Sequence, residues 1–200
     1  MLNSLVFVSF VTKNSPYIEI MEKYLIPSLK KFNLSYDIDY IKDKGSWLKN
    51  VRYKSEFIKK MLLKHKQAIV SLDADSEIIQ YPILFDKLEQ YDMSFHYLDW
   101  YRYWRNKKGK SQRIALGGTI YFNYNKNVLT FVDEWIKQQK RTNNYAQTDM
   151  QKISEKFKTI LKIYDLPIEY CVIIKRNNTV PSYVKNIVIK QYQLSRKIKK

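Results

Sequence analysis

Two hundred residues suit one domain with its own core, and an aromatic content of 15%, dominated by tyrosine, argues against disorder. A lone cysteine excludes a disulfide framework, and no run approaches the ~18 apolar residues that span a bilayer. The formal charge of +17 asks for an anionic partner.

That charge is segregated. Residues 100–113 hold Arg102, Arg105, Lys107, Lys108, Lys110 and Arg113 with no acid. Residues 175–200 hold eight further bases, again with no acid, and end in a basic tail from about 190. A nucleotide donor, anionic lipid head groups, an anionic acceptor or nucleic acid would all answer such segments, as would lysine bias with a solvated tail. A soluble, cytoplasmic protein is expected, peripheral at most to a membrane surface. The apolar run Leu5–Val11 has no basic residues before it and reads as a strand, not a signal peptide.

In chain order, that first strand is followed by Ser15-Pro16, a helix start. Ile18, Met21, Leu25, Leu29 and Phe32 then recur at helical spacing, with Pro27 expected to kink or split the helix. Residues 34–41 predict a second strand. Its alternation places Asp37 and Asp39 on a polar, solvated face. Gly45-Ser46 opens a helix with Trp47, Val51, Ser55, Ile58 and Leu62 along one side and Arg52 and Lys54 off it. Ala68–Leu72 has the unbroken apolar character of a strand buried on both faces.

It ends in Asp73-Ala74-Asp75. Unpaired carboxylates are costly to bury, so this pair needs a cation or an open cleft. In extended chain, i and i+2 face one way and can converge on one hard divalent ion, Mn²⁺ or Mg²⁺, beside the phosphates of a nucleotide. Eleven Asp in the chain give about 0.6 such pairs by chance, so context carries the weight: open α/β sheets bind ligands at the carboxyl ends of their strands. The competing reading is a pair of acids capping a turn.

Pro82 begins a short helix, and residues 93–98 predict a strand ending near His96 and Asp99. The Trp100–Arg105 stretch interleaves aromatics with cations, an arrangement that also holds single-stranded nucleic acid. A non-enzymatic nucleic-acid-binding protein is therefore the alternative function. With residues 106–113 this stretch is expected to form a mobile flap. Ile114 to Asn123 predicts a strand interrupted by Gly117-Gly118, which marks a bulge or a close approach by another group. Asn127 is expected to cap the next helix, and residues 146–157 to form another, carrying Gln147 and Asp149. Ile160–Tyr164 and Ile168–Ile174 predict strands, with Cys171 a small core residue. Strands alternating with helices imply one α/β domain over residues 1–200, with a mostly parallel sheet and a small antiparallel part.

The order of these pieces resembles the GT-A fold glycosyltransferases of the nucleotide-diphospho-sugar transferase group. The matching pieces are Leu5–Thr12, Gly45-Ser46-Trp47 with Tyr53-Lys54, Leu72–Asp75, Tyr81-Pro82, Leu116–Asn123, Asp149, Leu166-Pro167 and Ser195-Arg196-Lys197. The resemblance implies a Rossmann-like domain and a metal-dependent transferase. It would move a sugar from a UDP- or GDP-linked donor to a hydroxyl on a glycan, a lipid-linked acceptor or nucleic acid. By resemblance Asp75 ligates the metal and Asp73 contacts ribose or metal. Ser9, Val11 and Thr12 line the base pocket, Lys54 and less so Arg52 reach the diphosphate, and Arg196 clamps phosphate. Gly117 and Gly118 let the backbone approach the donor sugar, where His96 and Asp99 are further contacts. Asp149 is the acid facing the acceptor, a base in an inverting enzyme or a sugar-orienting group in a retaining one. The family's C-terminal His is missing here. Gln191 is the candidate to replace it as metal ligand, or Lys190 to supply a charge.

Overall fold

The structure, a computed structural model, describes residues 5–105 and 113–193. Six strands form the central sheet: β1 (Leu5–Thr12), β2 (Tyr36–Ile41), β3 (Ala68–Leu72), β5 (Met93–Asp99), β6 (Arg113–Phe122) and β7 (Ile163–Asp165), in the order β2-β1-β3-β6-β5-β7. β1 pairs in parallel with β2 and β3, and β5 with β7, while β6 runs antiparallel to both of its neighbours. The mixed α/β, mostly parallel sheet anticipated from the sequence is present. A three-stranded sheet lies beside it, made of β4 (Ser76–Ile78), β9 (Ile189–Gln191) and β8 (Val172–Ile173) in the order β4-β9-β8.

Strand alternation divides the core into two layers. Val6, Val8, Ile69, Phe95, Ile120 and Phe122 face α4 (Lys54–His65), α6 (Lys126–Arg141) and α7 (Ala146–Lys156), with Trp135 fully buried among them. Leu5, Phe7, Val70, Leu72 and Tyr121 face the opposite way, onto Met21, Leu25 and Leu29. Burying one such side chain contributes about 1.5–3 kcal/mol, so the apolar strands position everything else.

Pro27 neither breaks nor ends its helix. Between α1 (Tyr17–Ile20) and α2 (Ile26–Lys31), the turn Met21–Leu25 is π-helical. Proline lacks the N–H that would bond four residues back and its ring crowds that carbonyl; a widened turn absorbs both problems. The helix predicted from Ser46 is present as two: α3 (Trp47–Arg52), capped by the Ser46 hydroxyl accepting from the Lys49 N–H at 3.2 Å, and α4, which begins after a joint at Tyr53.

Several expectations change. Asn125, not Asn127, caps α6, accepting from the Val128 N–H at 3.0 Å while donating to Asp92 at 2.7 Å. Residues 168–174 are not one strand: Ile168–Tyr170 is a 3₁₀ turn after Pro167, and β8 follows. Residues 189–191 are strand rather than tail, and β4 escaped notice because three residues carry too little periodicity to read. Trp100–Arg105 is a short helix, α5, pinned by the fully buried Tyr103, whose hydroxyl donates to the Ile173 carbonyl at 2.5 Å. The expected flap at 106–112, and Arg196 with the end of the basic tail, lie outside the described residues.

Candidate active site

A cleft of about 370 Å³ opens at the carboxyl ends of β1 and β3. Its walls come from the end of β1 (Val11, Thr12), the following turn (Ser15, Tyr17), Asp43, α3 (Trp47, Asn50, Val51) and the start of α7 (Ala146, Gln147). Its floor is Asp73, Ala74 and Asp75 with Gly117, Gly118, Cys171 and Gln191.

The two aspartates both line the cleft, but on a different backbone from the one expected. They stand on the turn after β3, not on extended chain: the Ser76 N–H donates to the Asp73 carbonyl at 3.0 Å and β4 starts there. The antiparallel β6 fixes this turn, since the Asp73 N–H donates to the Gly118 carbonyl at 3.0 Å. Asp75 is buried, and its carbonyl accepts from the Tyr192 N–H at 3.0 Å. The Asp73 side chain remains 41% exposed to the cleft and pairs through one oxygen with the Lys54 ammonium at 2.5 Å. Lys54 is itself buried and also donates to the Gly117 carbonyl. The joint between α3 and α4 therefore delivers one cation to the point where β3 and β6 meet.

Oxygen donors of this kind suit a hard divalent ion. Among the described residues no group of three or more His, Cys, Asp or Glu could hold one without help. Asp73 and Asp75, both lining the cleft, would supply two carboxylates to such an ion. Gln191 is poorly placed to be the third ligand: its amide donates to the Gly118 carbonyl at 3.1 Å and the Thr119 hydroxyl at 3.0 Å, and its oxygen accepts from the Ser76 hydroxyl at 2.7 Å. It ties β9 to β6 and β4, and it takes the room at Gly118, where an added Cβ would lie 2.8 Å from the Gln191 Cδ. That close approach, rather than one by a sugar, explains the glycine. Gly117 is the more open of the two, with Gln147 Cβ at 3.3 Å from the same hypothetical position.

Other expected residues are brought together in part. Val11, Thr12 and Lys54 line the cleft. Ser9 is buried beneath it, donating to the Leu72 carbonyl at 2.9 Å. Arg52 turns away from the cleft and donates to the carbonyls of Asn144, at 3.1 Å, and Gln139. Asp149 is wholly buried and does not line the cleft; its carboxylate accepts from the Thr142 hydroxyl at 2.6 Å and from the Asn144 amide at 2.9 Å. The acid expected to face the acceptor instead braces the turn before α7, and the residue two positions earlier, Gln147, reaches the cleft. His96 is turned into the protein, its Nδ1–H donating to the Leu166 carbonyl at 2.7 Å, and burial pushes its pKa down. Asp99 accepts from the Arg102 N–H and starts α5. Burial pushes the Cys171 thiol up to about 12, so it is an inert part of the floor.

The other Asp-x-Asp pair, Asp37 and Asp39, expected on a solvated face, is paired with side chains of α4 rather than simply solvated. Asp39 meets Lys60 at 2.6 Å, and Asp37 meets Lys64 at 2.5 Å and His65 at 2.8 Å. Missed in the sequence were Ser15, Tyr17, Asp43, Asn50 and Gln147. Only Asp43 left a signal: Asp43-Lys44-Gly45 is a turn signature, and its carboxylate accepts from the Gly45 N–H at 2.9 Å and the Asn50 amide at 2.9 Å.

No helix among the described residues is long and apolar enough to cross a membrane. No family model matches the sequence, and no curated protein sequence matches it. Solved structures do match. A glycosyltransferase involved in glycosylation of the major capsid of PBCV-1 superposes with a TM-score of 0.64 at 13% identity, over 96% of this chain and 93% of that one. Mouse xyloside xylosyltransferase 1 gives 0.60 at 9% identity, over 96% and 98%. The galactosyltransferase LgtC, solved with donor and acceptor sugar analogues, gives 0.57 at 10% identity, over 94% and 87%. At such identities the likeness is one of architecture, and the strand order, the reversed β6 and the turn at Asp73 together give this chain the GT-A fold of glycosyltransferases.

Proposed function

We propose that this protein is a metal-dependent glycosyltransferase that moves a sugar from a UDP- or GDP-linked donor to a hydroxyl acceptor. The observation that carries the reading is the Asp73–Asp75 turn at the carboxyl end of β3, opening on a cleft that also presents Lys54. Asp73 and Asp75 would hold Mn²⁺ or Mg²⁺, and such an ion would supply positive charge against the departing nucleoside diphosphate. Lys54, itself buried, adds a fixed cation at the same point. Val11, Thr12, Tyr17 and Asn50 form the opposite wall, where a base and ribose fit. Gln147 orients the donor sugar from the start of α7.

In the reaction the bond between the anomeric carbon and the diphosphate oxygen breaks, and the acceptor hydroxyl oxygen bonds that carbon. The hydroxyl proton ends on the released diphosphate. Calorimetry with UDP and GDP, with and without Mn²⁺, tests the reading. Metal and nucleotide should bind cooperatively, and Asp75→Asn should remove the metal-dependent part while leaving the melting temperature nearly unchanged. Metal-dependent binding that survives in Asp75→Asn, or none in the wild type, would refute it.

A further inference from the structure

Tyr103 and Ile173 are 70 residues apart along the chain, yet the Tyr103 hydroxyl donates to the Ile173 carbonyl and ties α5 to the end of β8. Two more contacts close the same seam. The Arg102 guanidinium lies 4.3 Å over the Tyr183 ring, and the Lys175 ammonium stands 6.0 Å from the Tyr103 ring. Beneath them Leu98, Tyr103, Val172 and Val184 belong to a small apolar cluster of their own. The two basic segments of the sequence therefore share one face. We infer that this face docks the protein on a bilayer that contains anionic phospholipid, an inference that stands whether or not the cleft transfers sugar.

Charge is the first argument. Residues 98–105 and 172–188 contain Arg102, Arg105, Lys175, Arg176 and Lys185 against a single acid, Asp99. Asp99 is engaged within α5, where it accepts from the Arg102 N–H at 2.9 Å. Arg102, Arg105, Arg176 and Lys185 are exposed. The turn that carries Arg176 is fixed: the Lys175 N–H donates to the Thr179 carbonyl, and the Asn178 N–H to the Lys175 carbonyl, both at 2.9 Å. On α4, by contrast, Lys59, Lys60 and Lys64 each meet an aspartate. A patch of bases in such excess over acids is what the negative surface of a lipid leaflet attracts.

The aromatic side chains are the second. Trp100 and Tyr101 are each 41% exposed at the start of α5, beside these bases. One exposed aromatic is ordinary. Two in succession, next to cations, have the composition of a membrane–water interface, where amphipathic rings sit at head-group depth. The buried Tyr103 holds the helix so that they point outward. A nucleic-acid strand is the other polyanion, but it needs open ring faces in a row on which bases stack. Here Trp100 and Trp104 lean on each other at 5.4 Å and 52°, Trp104 meets Tyr103 in a T shape, and Arg102 covers Tyr183. The rings make a wedge, not a stacking platform.

The test measures co-sedimentation of the full chain with phosphatidylcholine vesicles, with and without phosphatidylserine, at physiological ionic strength. Binding should require phosphatidylserine. Arg105→Gln, Arg176→Gln and Lys185→Gln together should weaken it roughly tenfold or more, since each base near an anionic surface is worth about fivefold. The same charge is then removed from α6, which takes no part in the cluster beneath the face, by Lys126→Gln, Lys140→Gln and Arg141→Gln. That control should change binding less than about threefold, because charges beyond a Debye length from the lipid are screened. Bromine-labelled lipid should quench the tryptophan fluorescence of the wild type and quench Trp100→Phe far less. Melting temperatures should match the wild type throughout, since every substituted side chain is exposed. No binding to phosphatidylserine vesicles, equal loss in the two triple variants, or quenching that survives in Trp100→Phe overturns the proposal. Binding of a poly-dT oligonucleotide in place of vesicles, weakened by the first triple variant alone, would overturn it too and assign the face to nucleic acid.

Discussion

Replacing Asp149 separates a base from a brace. Its carboxylate is fully buried and accepts two hydrogen bonds, from Thr142 at 2.6 Å and Asn144 at 2.9 Å, in the first turn of α7. Hydrogen bonds to a charged group are worth ~1.5–3 kcal/mol each, and a carboxylate at a helix N-terminus adds ~0.3–1 kcal/mol. The three contributions share one side chain and do not simply add, so Asp149→Ala should destabilise by about 3–6 kcal/mol. That is a large share of the ~5–15 kcal/mol that holds a domain together. Asp149→Asn is the better probe. It keeps one acceptor oxygen, the Thr142 hydroxyl can turn to accept from the new amide, and the loss should be about half as large. For a chain of this size, 1 kcal/mol moves the melting temperature by roughly 2–4 °C, so calorimetry should find Asp149→Asn lower by about 3–12 °C. Nucleotide release, assayed well below that melting point, should stay within several-fold of wild type, whereas losing a general base reduces turnover roughly 10²–10⁴-fold. A variant with wild-type melting and thousandfold lower turnover would refute the bracing role and restore Asp149 as the base.

Three further outcomes are expected. Gly118→Ala should lower stability by about 1–3 kcal/mol in thermal unfolding, since its Cβ would press to 2.8 Å on a Gln191 that three hydrogen bonds hold still; Gly117→Ala, at 3.3 Å from Gln147, should be milder. Lys54→Met should weaken UDP binding by roughly 10–100-fold, the loss of one charged contact, with little change in melting because Asp73 is substantially open to water. His96 has its pKa depressed by burial below 6.5, so the unfolded chain takes up a proton first as pH falls. Stability should be level above pH 6.5 and decline below it, down through the folded-state pKa. The acid limb of a melting-temperature profile should be flatter in His96→Asn, and an unchanged limb would exclude His96 as its source.

What could be read from the residues alone follows a physical divide. The strand at Ala68–Leu72 and the acids after it were legible because a strand buried on both faces is a bare apolar run, and a carboxylate beside such a run needs an explanation. Arg52 and Ser9 misled because their side chains could serve either the cleft or a distant carbonyl. The choice was made by Gln139 and Asn144, 87 and 92 residues away from Arg52, and by Leu72, 63 residues away from Ser9. Asp149 misled for the same reason on a shorter scale, since only the folded turn reveals that Thr142 and Asn144 close over it. Gln191 was found by its place near the end of the chain, yet its bonds to Ser76, Gly118 and Thr119 could not be inferred from spacing.

The pairing of β9 with β4 has a consequence for the order in which the protein comes into being. Ser76 and Gln191 are 115 residues apart, so the aspartate turn leaves the ribosome long before the strand that seals its floor. Contacts so distant along the chain close late, because the loop entropy must be overcome before they contribute anything. A chain still being synthesised can already bury β1, β2 and β3 against their helices while its aspartate turn lacks the hydrogen bonds that shape it. In a refolding experiment, the far-ultraviolet signal of the central sheet should therefore recover before the capacity to bind nucleotide.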